Sequence, residues 1–514
     1  MVDGSAAGTP QETPFERLET AWADVLTAWG HRVVADSRGV PTDDDPYPSM
    51  RRAFGAALRA FPRTGLSDAE AAGLATIESA LEYIDDTLTV EGLDRGPDAG
   101  GEIDALRRAT YEAFGEAAAN LRIDGRTMDR LSAFRVQATA SDPARRRAAF
   151  EAMRPMWQAV DGDGGPDSPY RQSLRASVAR WERVGSVIDS NAAGLGIAPA
   201  DFEPMLERIL VAGRRALVGV AGEAPIEPWD YRYLVGEAER RLAETVPVGR
   251  LQPINVAHLR ALGADPQTLG IDYDVLPRPG RPVIPVAFTI GVGVPARPHV
   301  FATYESGGLG ELAELLHESG HAIHYAAIRT RPCFAEPPAE QAAFFEAIGD
   351  LVGWDASEPA FQARHLGTAV EPAVARLDRY GAVLLDVCWA LLEIELHRSP
   401  DRRPNDVWTE ITRDGLGIAA HPEWSWWAVR GQLIELPGYM ANYALAAIAV
   451  AALRARVRAV RGDWSTGDPG WYPFVAERLL RFGGERRPAE VLAAFLGGPP
   501  TAEPLLADLG GGVR

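Results

Sequence analysis

The chain contains no lysine; all 52 of its Lys/Arg residues are arginine. A Schiff-base enzyme needs a lysine amine, so pyridoxal-phosphate catalysis is excluded. A P-loop nucleotide hydrolase needs the lysine of its Walker A loop and is excluded as well. Cysteine is nearly absent. Cys333 and Cys388 can build neither a disulfide framework nor a CxxC pair, which predicts a reducing, cytoplasmic setting. Long apolar runs are also missing: Ala444 to Leu453 is too short and too rich in alanine to span a bilayer, and reads as a buried helix. Met1 to Ser5 show neither a basic n-region nor an apolar h-region, which predicts no secretory signal. Positive charge is in deficit: a net charge of -19 argues against nucleic acid and anionic membranes as partners.

The 514 residues suffice for two or three lobes or one large helical domain, with a core that needs no staples. Residues 1–250 read as an N-terminal series of helices. Phe15 to Trp29, Ser67 to Leu88, Glu102 to Leu121, Thr127 to Met153 and Tyr170 to Asn191 carry apolar residues at three- and four-residue spacing. Breaks rich in Gly, Pro and Asp separate them, at Asp36 to Pro48, Glu91 to Gly101 and Asp161 to Ser168. Asp43, Asp44 and Asp45 read as a solvated loop rather than a cation site. In residues 251–514 the composition first turns to proline, glycine and β-branched residues. Ile271 to Val275, Val283 to Ile290 and His299 to Tyr304 predict short strands of a small sheet. Gly291-Val292-Gly293 lacks the third glycine and the following helix of a dinucleotide turn. The predicted class is therefore mainly α with a small β-sheet.

Leu309 to Ile328 reads as one amphipathic helix and contains His317-Glu318-Ser319-Gly320-His321. Residues four apart share a helix face, so two imidazole nitrogens can meet one ion at about 2.0–2.1 Å. Glu318 points beside that ion and can take a proton from its water. Gly320 permits close approach of another backbone. The bland alternative is a chance pairing of surface histidines in a chain that has nine. A second predicted helix, Ala339 to Val352, tips the balance. Its Glu346 supplies a third ligand and leaves the fourth position for water, the arrangement of catalytic zinc sites. Asp350, one turn later, can accept the other N–H of a ligand histidine. His324 shares the face of His321 and reads as a packed histidine behind the ligands. Glu314 reads equally as a supporting or a solvated carboxylate, and Cys333 as a bystander.

Peptide hydrolysis at zinc also needs donors for the oxyanion. Tyr439 and Tyr443, one turn apart after Pro437-Gly438, are the candidates, Tyr443 first; two satisfied core tyrosines are the equal alternative. His421, ahead of Trp424, Trp426 and Trp427, reads as structural, with donation to the oxyanion as the alternative.

These residues resemble the thimet oligopeptidase / oligopeptidase F family of zinc peptidases. Trp229-Asp230-Tyr231-Arg232-Tyr233 is similar to its WDxRY segment, His317 to His324 to its HExGHAxH helix, and Gly438-Tyr439 with Tyr443 to its GYxxxY stretch. Phe482-Gly483-Gly484 through Phe495-Leu496-Gly497 to Leu505-Leu506 resembles its C-terminal pattern. Glu346 to Asp350 is similar to the EAIGD helix of the angiotensin-converting enzyme family, and Gly438 to Leu445 resembles the carboxypeptidase Taq family. The resemblance runs from about residue 225 to the C-terminus. It implies a zincin-like, two-lobed helical body, with residues 1–250 over a deep central channel, one Zn2+ at its floor, and short peptides as substrates. Two positions depart from the pattern. Ile434-Glu435-Leu436 holds no histidine before the Gly-Tyr pair, and Ala446 stands where a second donor tyrosine is expected. Alongside a peptidase, the departures keep open a hydrolase for a specialised amide. A silent peptide-binding homologue is the remaining alternative, and the intact Glu318 speaks against it. His299 to Tyr304 is expected to receive the substrate as an added strand.

Overall fold

Proline opens helix after helix in this chain. Pro14, Pro143, Pro169, Pro199, Pro228, Pro359, Pro372, Pro404 and Pro488 all stand in the first turn. There the missing N–H would have had no helical partner and the fixed φ is already helical. Polar caps add to this. Thr13 and Glu16 form a capping box, the Thr13 hydroxyl accepting from the Glu16 N–H at 3.2 Å while Glu16 accepts from the Thr13 N–H at 2.7 Å. The computed structural model describes residues 12–40, 44–87, 101–278, 287–336 and 341–510, with the backbone alone for 82–87. Met1 to Ser5, Asp43, the break at 91–100, the strand residues 283–286 and the helix start at 339–340 lie outside them.

Helices dominate, and they pack around two apolar cores. The first core joins three N-terminal helices, Pro14–Ser37, Tyr47–Ala60 and Asp68–Thr87, through Trp22, Phe54 and Ile77, and includes Ile290, Cys333 and Phe334 from later in the chain. The second and larger core takes in nearly everything from Phe114 onward. Its centre is the helix Met440–Arg461, in which every residue from Ala444 to Leu453 is buried. The alanine-rich sequence lets this helix lie close to its neighbours on several sides. Among the described residues, no helix is long and apolar enough to cross a membrane.

Among the described residues there are also two small sheets. β1 (Leu121–Ile123) and β2 (Arg126–Met128) form an antiparallel hairpin. The expected helix Thr127 to Met153 is therefore three pieces: the end of this hairpin, then helices Arg130–Thr139 and Pro143–Glu151. Asp142-Pro143 is the reason, since the residue before a proline avoids helical backbone and the proline starts the next helix. The expected helix Tyr170 to Asn191 likewise breaks at Gly185, at φ 94°. The second sheet has the order β3 (Asp272–Asp274), β5 (Arg297–Phe301), β4 (Phe288–Val292). β5 runs parallel to β3 and antiparallel to β4, pairing Val300 with both Tyr273 and Thr289. This corrects one expectation: the strand at 299–301 is the central one, bonded on both sides, and has no edge to offer a peptide. Among the described residues, β3 and β4 are the two edge strands. β4 leads on to the candidate site. It lies over the helix Leu309–Ala327, and Gly30 of the first helix packs against it where a Cβ would stand 3.0 Å from the Val292 Cα.

Candidate metal centre

The helix Leu309–Ala327 carries His317, Glu318 and His321, and Ala342–Gly353 carries Glu346 and Asp350. Three glycines bring these helices together. A Cβ on Gly320 would stand 2.6 Å from the Gly349 carbonyl oxygen, one on Gly349 2.7 Å from the His317 ring, and one on Gly353 3.1 Å from the His317 Cβ. Any side chain there would push the helices apart.

At this seam, one ligand atom each from His317, His321 and Glu346 lies within 4.8 Å of the others. The two Nε2 atoms are 3.0 Å apart, and a Glu346 carboxylate oxygen is 3.4 Å from His317 Nε2. Asp350 Oδ1 is 2.8 Å from His317 Nδ1. That contact fixes the ring orientation and leaves Nε2 aimed at the other two ligand groups. Two imidazoles, one carboxylate and a carboxylate–histidine pair form a donor set suited to zinc. The His321 ring stacks on Phe345 with centroids 4.6 Å apart, which fixes it from the opposite side.

Charge at the centre is uneven. Burial works to lower the His317 pKa, but Asp350 and Glu346 overcome it and hold the imidazole well above its ordinary value. Burial, and then the charge of His317, push His321 well below. Glu318 is buried beside them. Its Oε2 accepts a hydrogen bond from the Thr289 hydroxyl of β4 at 2.8 Å, and burial raises its pKa to about 7. His324 is held between Phe344 and Phe345, with burial lowering its pKa to about 4. It shares Phe345 with His321. Glu314 stays exposed, and Cys333 is buried near Phe15 and Gly73 in the first core.

Tyr439 and Tyr443 stand at the start of the helix Met440–Arg461, their rings 5.6 Å apart. The Tyr439 hydroxyl donates to Glu346 Oε1 at 3.3 Å, whereas the Tyr443 hydroxyl accepts from Gln432 at 3.4 Å. His421 is placed elsewhere. Its two ring nitrogens meet Glu423 at 2.8 Å and Glu227 at 3.0 Å, and it stacks on Trp424. At the two departures, Ile434 and Ala446 are buried apolar side chains of the main core.

Several contributors have no local motif. Thr289 reaches Glu318 only through the sheet. Glu393 lies fully buried under the Gly438 turn, accepting from the Gly438 N–H at 2.7 Å and the Met440 N–H at 3.0 Å. It thus caps the tyrosine helix and sets where Tyr439 points. A lone carboxylate in Leu391-Leu392-Glu393-Ile394 is the signal that could have found it, because a buried carboxylate needs donors. Arg430, paired with Asp386 at 2.9 Å, lies over the Tyr443 ring at 5.6 Å.

No protein-family model matches the chain, and no curated protein matches it in sequence. Solved structures do match its fold. The M32 carboxypeptidase of Deinococcus radiodurans R1 is 15% identical, with a TM-score of 0.61 over 97% of this chain and 100% of its own. PZ peptidase A, solved with an inhibitor, is 15% identical, with a TM-score of 0.62 over 98% of this chain and 97% of its own. Trypanosoma cruzi metallocarboxypeptidase 1 is 14% identical, with a TM-score of 0.52 over 96% and 97%. Along almost its whole length, this chain has the mainly helical fold that these peptidases share.

Proposed function

We propose that the protein is a zinc-dependent peptidase that hydrolyses short peptides. The carrying observation is the convergence of His317, His321 and Glu346 ligand atoms within 4.8 Å, with Glu318 buried alongside. Three protein ligands leave a position for water, which separates a catalytic site from a closed structural one. Zinc held by these residues supplies a Lewis acid that brings the pKa of water toward neutrality and polarises a carbonyl. Glu318 takes the proton of the attacking water and delivers it to the leaving amine. Thr289 holds the carboxylate in place for both transfers. Tyr443 and Tyr439 supply the phenols for the oxyanion, with Tyr439 the nearer to the ligand set by direct contact. β4, an edge strand among the described residues, gives an extended peptide a backbone to pair with, next to the base. Two buried, unpaired thiols fit a reducing, cytoplasmic setting.

The second reading is a zinc hydrolase for a specialised amide. It is favoured by Ile434 and Ala446, which offer no hydrogen-bond donor. A screen of mixed short peptides with the zinc-loaded protein, wild type beside Glu318→Ala, decides between them. The peptidase reading expects cleavage by the wild type and a fall of about 10²–10⁴-fold in the variant, with zinc retained. A zinc-loaded wild type that cleaves none of the peptides overturns it.

A further inference from the structure

Four of the five side chains in Trp229–Tyr233 are accounted for by the fold. Trp229 packs against Phe150 and Trp424 at 6.0 and 5.9 Å. Asp230 pairs with Arg146 at 2.7 Å, and the Tyr231 hydroxyl donates to the Gly381 carbonyl at 2.9 Å. The Tyr233 ring lies under the guanidinium groups of Arg146 and Arg240, at 4.2 and 3.7 Å. Arg232 is the exception. Its guanidinium sits 3.8 Å from the Phe134 ring centroid, and among the described residues no oxygen accepts a hydrogen bond from it.

Arg232 also stands among like charges. Burial first, and then the charge of Arg430, lower its pKa to about 10; the same two causes, in the same order, lower Arg130 to about 10. Arg430 is paired with Asp386, while Arg130 donates to the Val429 carbonyl at 2.9 Å. Arg430 has Asp386 and Arg130 has Asp129 beside it, whereas among the described residues no carboxylate accepts from Arg232, and clustering like charges at a half-buried site is costly unless an anion joins them. The cluster borders the metal centre: Arg430 covers the Tyr443 ring, one turn from Tyr439, whose hydroxyl touches Glu346.

We propose that Arg232, with Arg130 and Arg430, receives a carboxylate of the substrate, either its C-terminus or an acidic side chain, beside the metal centre. A guanidinium presents paired N–H donors that match the two oxygens of a carboxylate, and those of Arg232, half-buried against Phe134, have no acceptor among the described residues. This rests on the peptidase reading and deepens it by naming a feature of the substrate. Captured at its C-terminus, a peptide is cut close to its end; captured by a side chain, it is cut beside an acidic residue.

The test is binding to the zinc-loaded Glu318→Ala protein, followed by calorimetry. It uses three peptides of otherwise one neutral sequence: one with a free C-terminus, one with a C-terminal amide, and one amide-ended with a glutamate added. At least one carboxylate-bearing peptide should bind about 10- to 100-fold more tightly than the neutral amide, and which one identifies the source. Arg232→Gln should erase that preference and Arg232→Lys should restore part of it. Arg130→Gln, on a separate helix, should weaken it too, and serves if Arg232→Gln fails to fold. Equal binding of all three peptides overturns the proposal, as does a folded Arg232→Gln protein that keeps the full preference. Cleavage by the wild type is read separately. Equal turnover of acid and amide peptides removes this inference and leaves the peptidase standing; preferential binding of a carboxylate with no cleavage does the reverse.

Discussion

The floor of the site is assembled from two helices that meet backbone to backbone, whereas the tyrosine and arginine wall beside it is assembled from side chains of several distant segments. On the floor, glycines at 320, 349 and 353 leave no room for adjustment, and every ligand atom follows from helical spacing once the helices touch. On the wall, Tyr439 depends on a turn held by Glu393, and Arg430 on a pairing with Asp386 from another helix. On the proposed function, the difference separates chemistry from selection. A rigid, locally encoded floor suits the reaction, and a wall drawn from separate elements suits discrimination among substrates, since each element can vary without disturbing the proposed metal ligands.

That comparison can be broken in graded ways. The largest effect belongs to the ligands: His317→Ala should abolish both zinc binding and turnover, read as metal content and peptide cleavage. Asp350→Asn keeps the ligands but loses the carboxylate at His317 Nδ1, and zinc affinity by chelator competition should fall about 10–100-fold. Gly320→Ala forces a methyl group to within 2.6 Å of the Gly349 carbonyl oxygen. A loss of about 1–3 kcal/mol in urea unfolding, with weakened zinc binding, is the expected result; an unchanged midpoint would show that the floor is not close-packed.

The smallest effect is a pH dependence beneath the floor. Just beyond the glutamate helix, Glu358 contacts Arg454, Arg458 and Arg379 at 2.7, 2.6 and 2.9 Å, and Arg454 also donates to the Leu351 carbonyl at the helix end. Burial works to raise the Glu358 pKa, but the three arginines overcome it and hold it far below the usual carboxylate range. A depressed folded-state pKa means the stabilisation is complete above the unfolded value of about 4.3 and is lost as the pH falls below it. Urea midpoints should therefore drop on acidification through that value, and Glu358→Gln should be less stable at neutral pH with a shallower acid slope.

The floor was also the part legible in the sequence. His317, Glu318 and His321 follow from a four-residue spacing, and Glu346 and Asp350 from the same period on the next amphipathic segment. The strand segments were legible as well, but their order was not. β5 proved central because pairing joins residues far apart in the chain, and nothing within 299–304 encodes its neighbours. Thr289, Glu393 and the arginine cluster escaped for the same reason: each acts through a contact whose partner lies tens to hundreds of residues away. The split of Thr127 to Met153 was legible in principle, through Asp142-Pro143, but helical spacing that continues across the proline-enforced break hid it.

The most direct measurement is metal content set against activity. Wild-type protein purified with zinc should hold close to one equivalent, lose it and its peptide cleavage together on chelation, and regain both on zinc addition, while Glu346→Ala does neither. A chelated, zinc-free protein that still cleaves peptides, or a Glu346→Ala protein that binds zinc as tightly as wild type, would contradict the account.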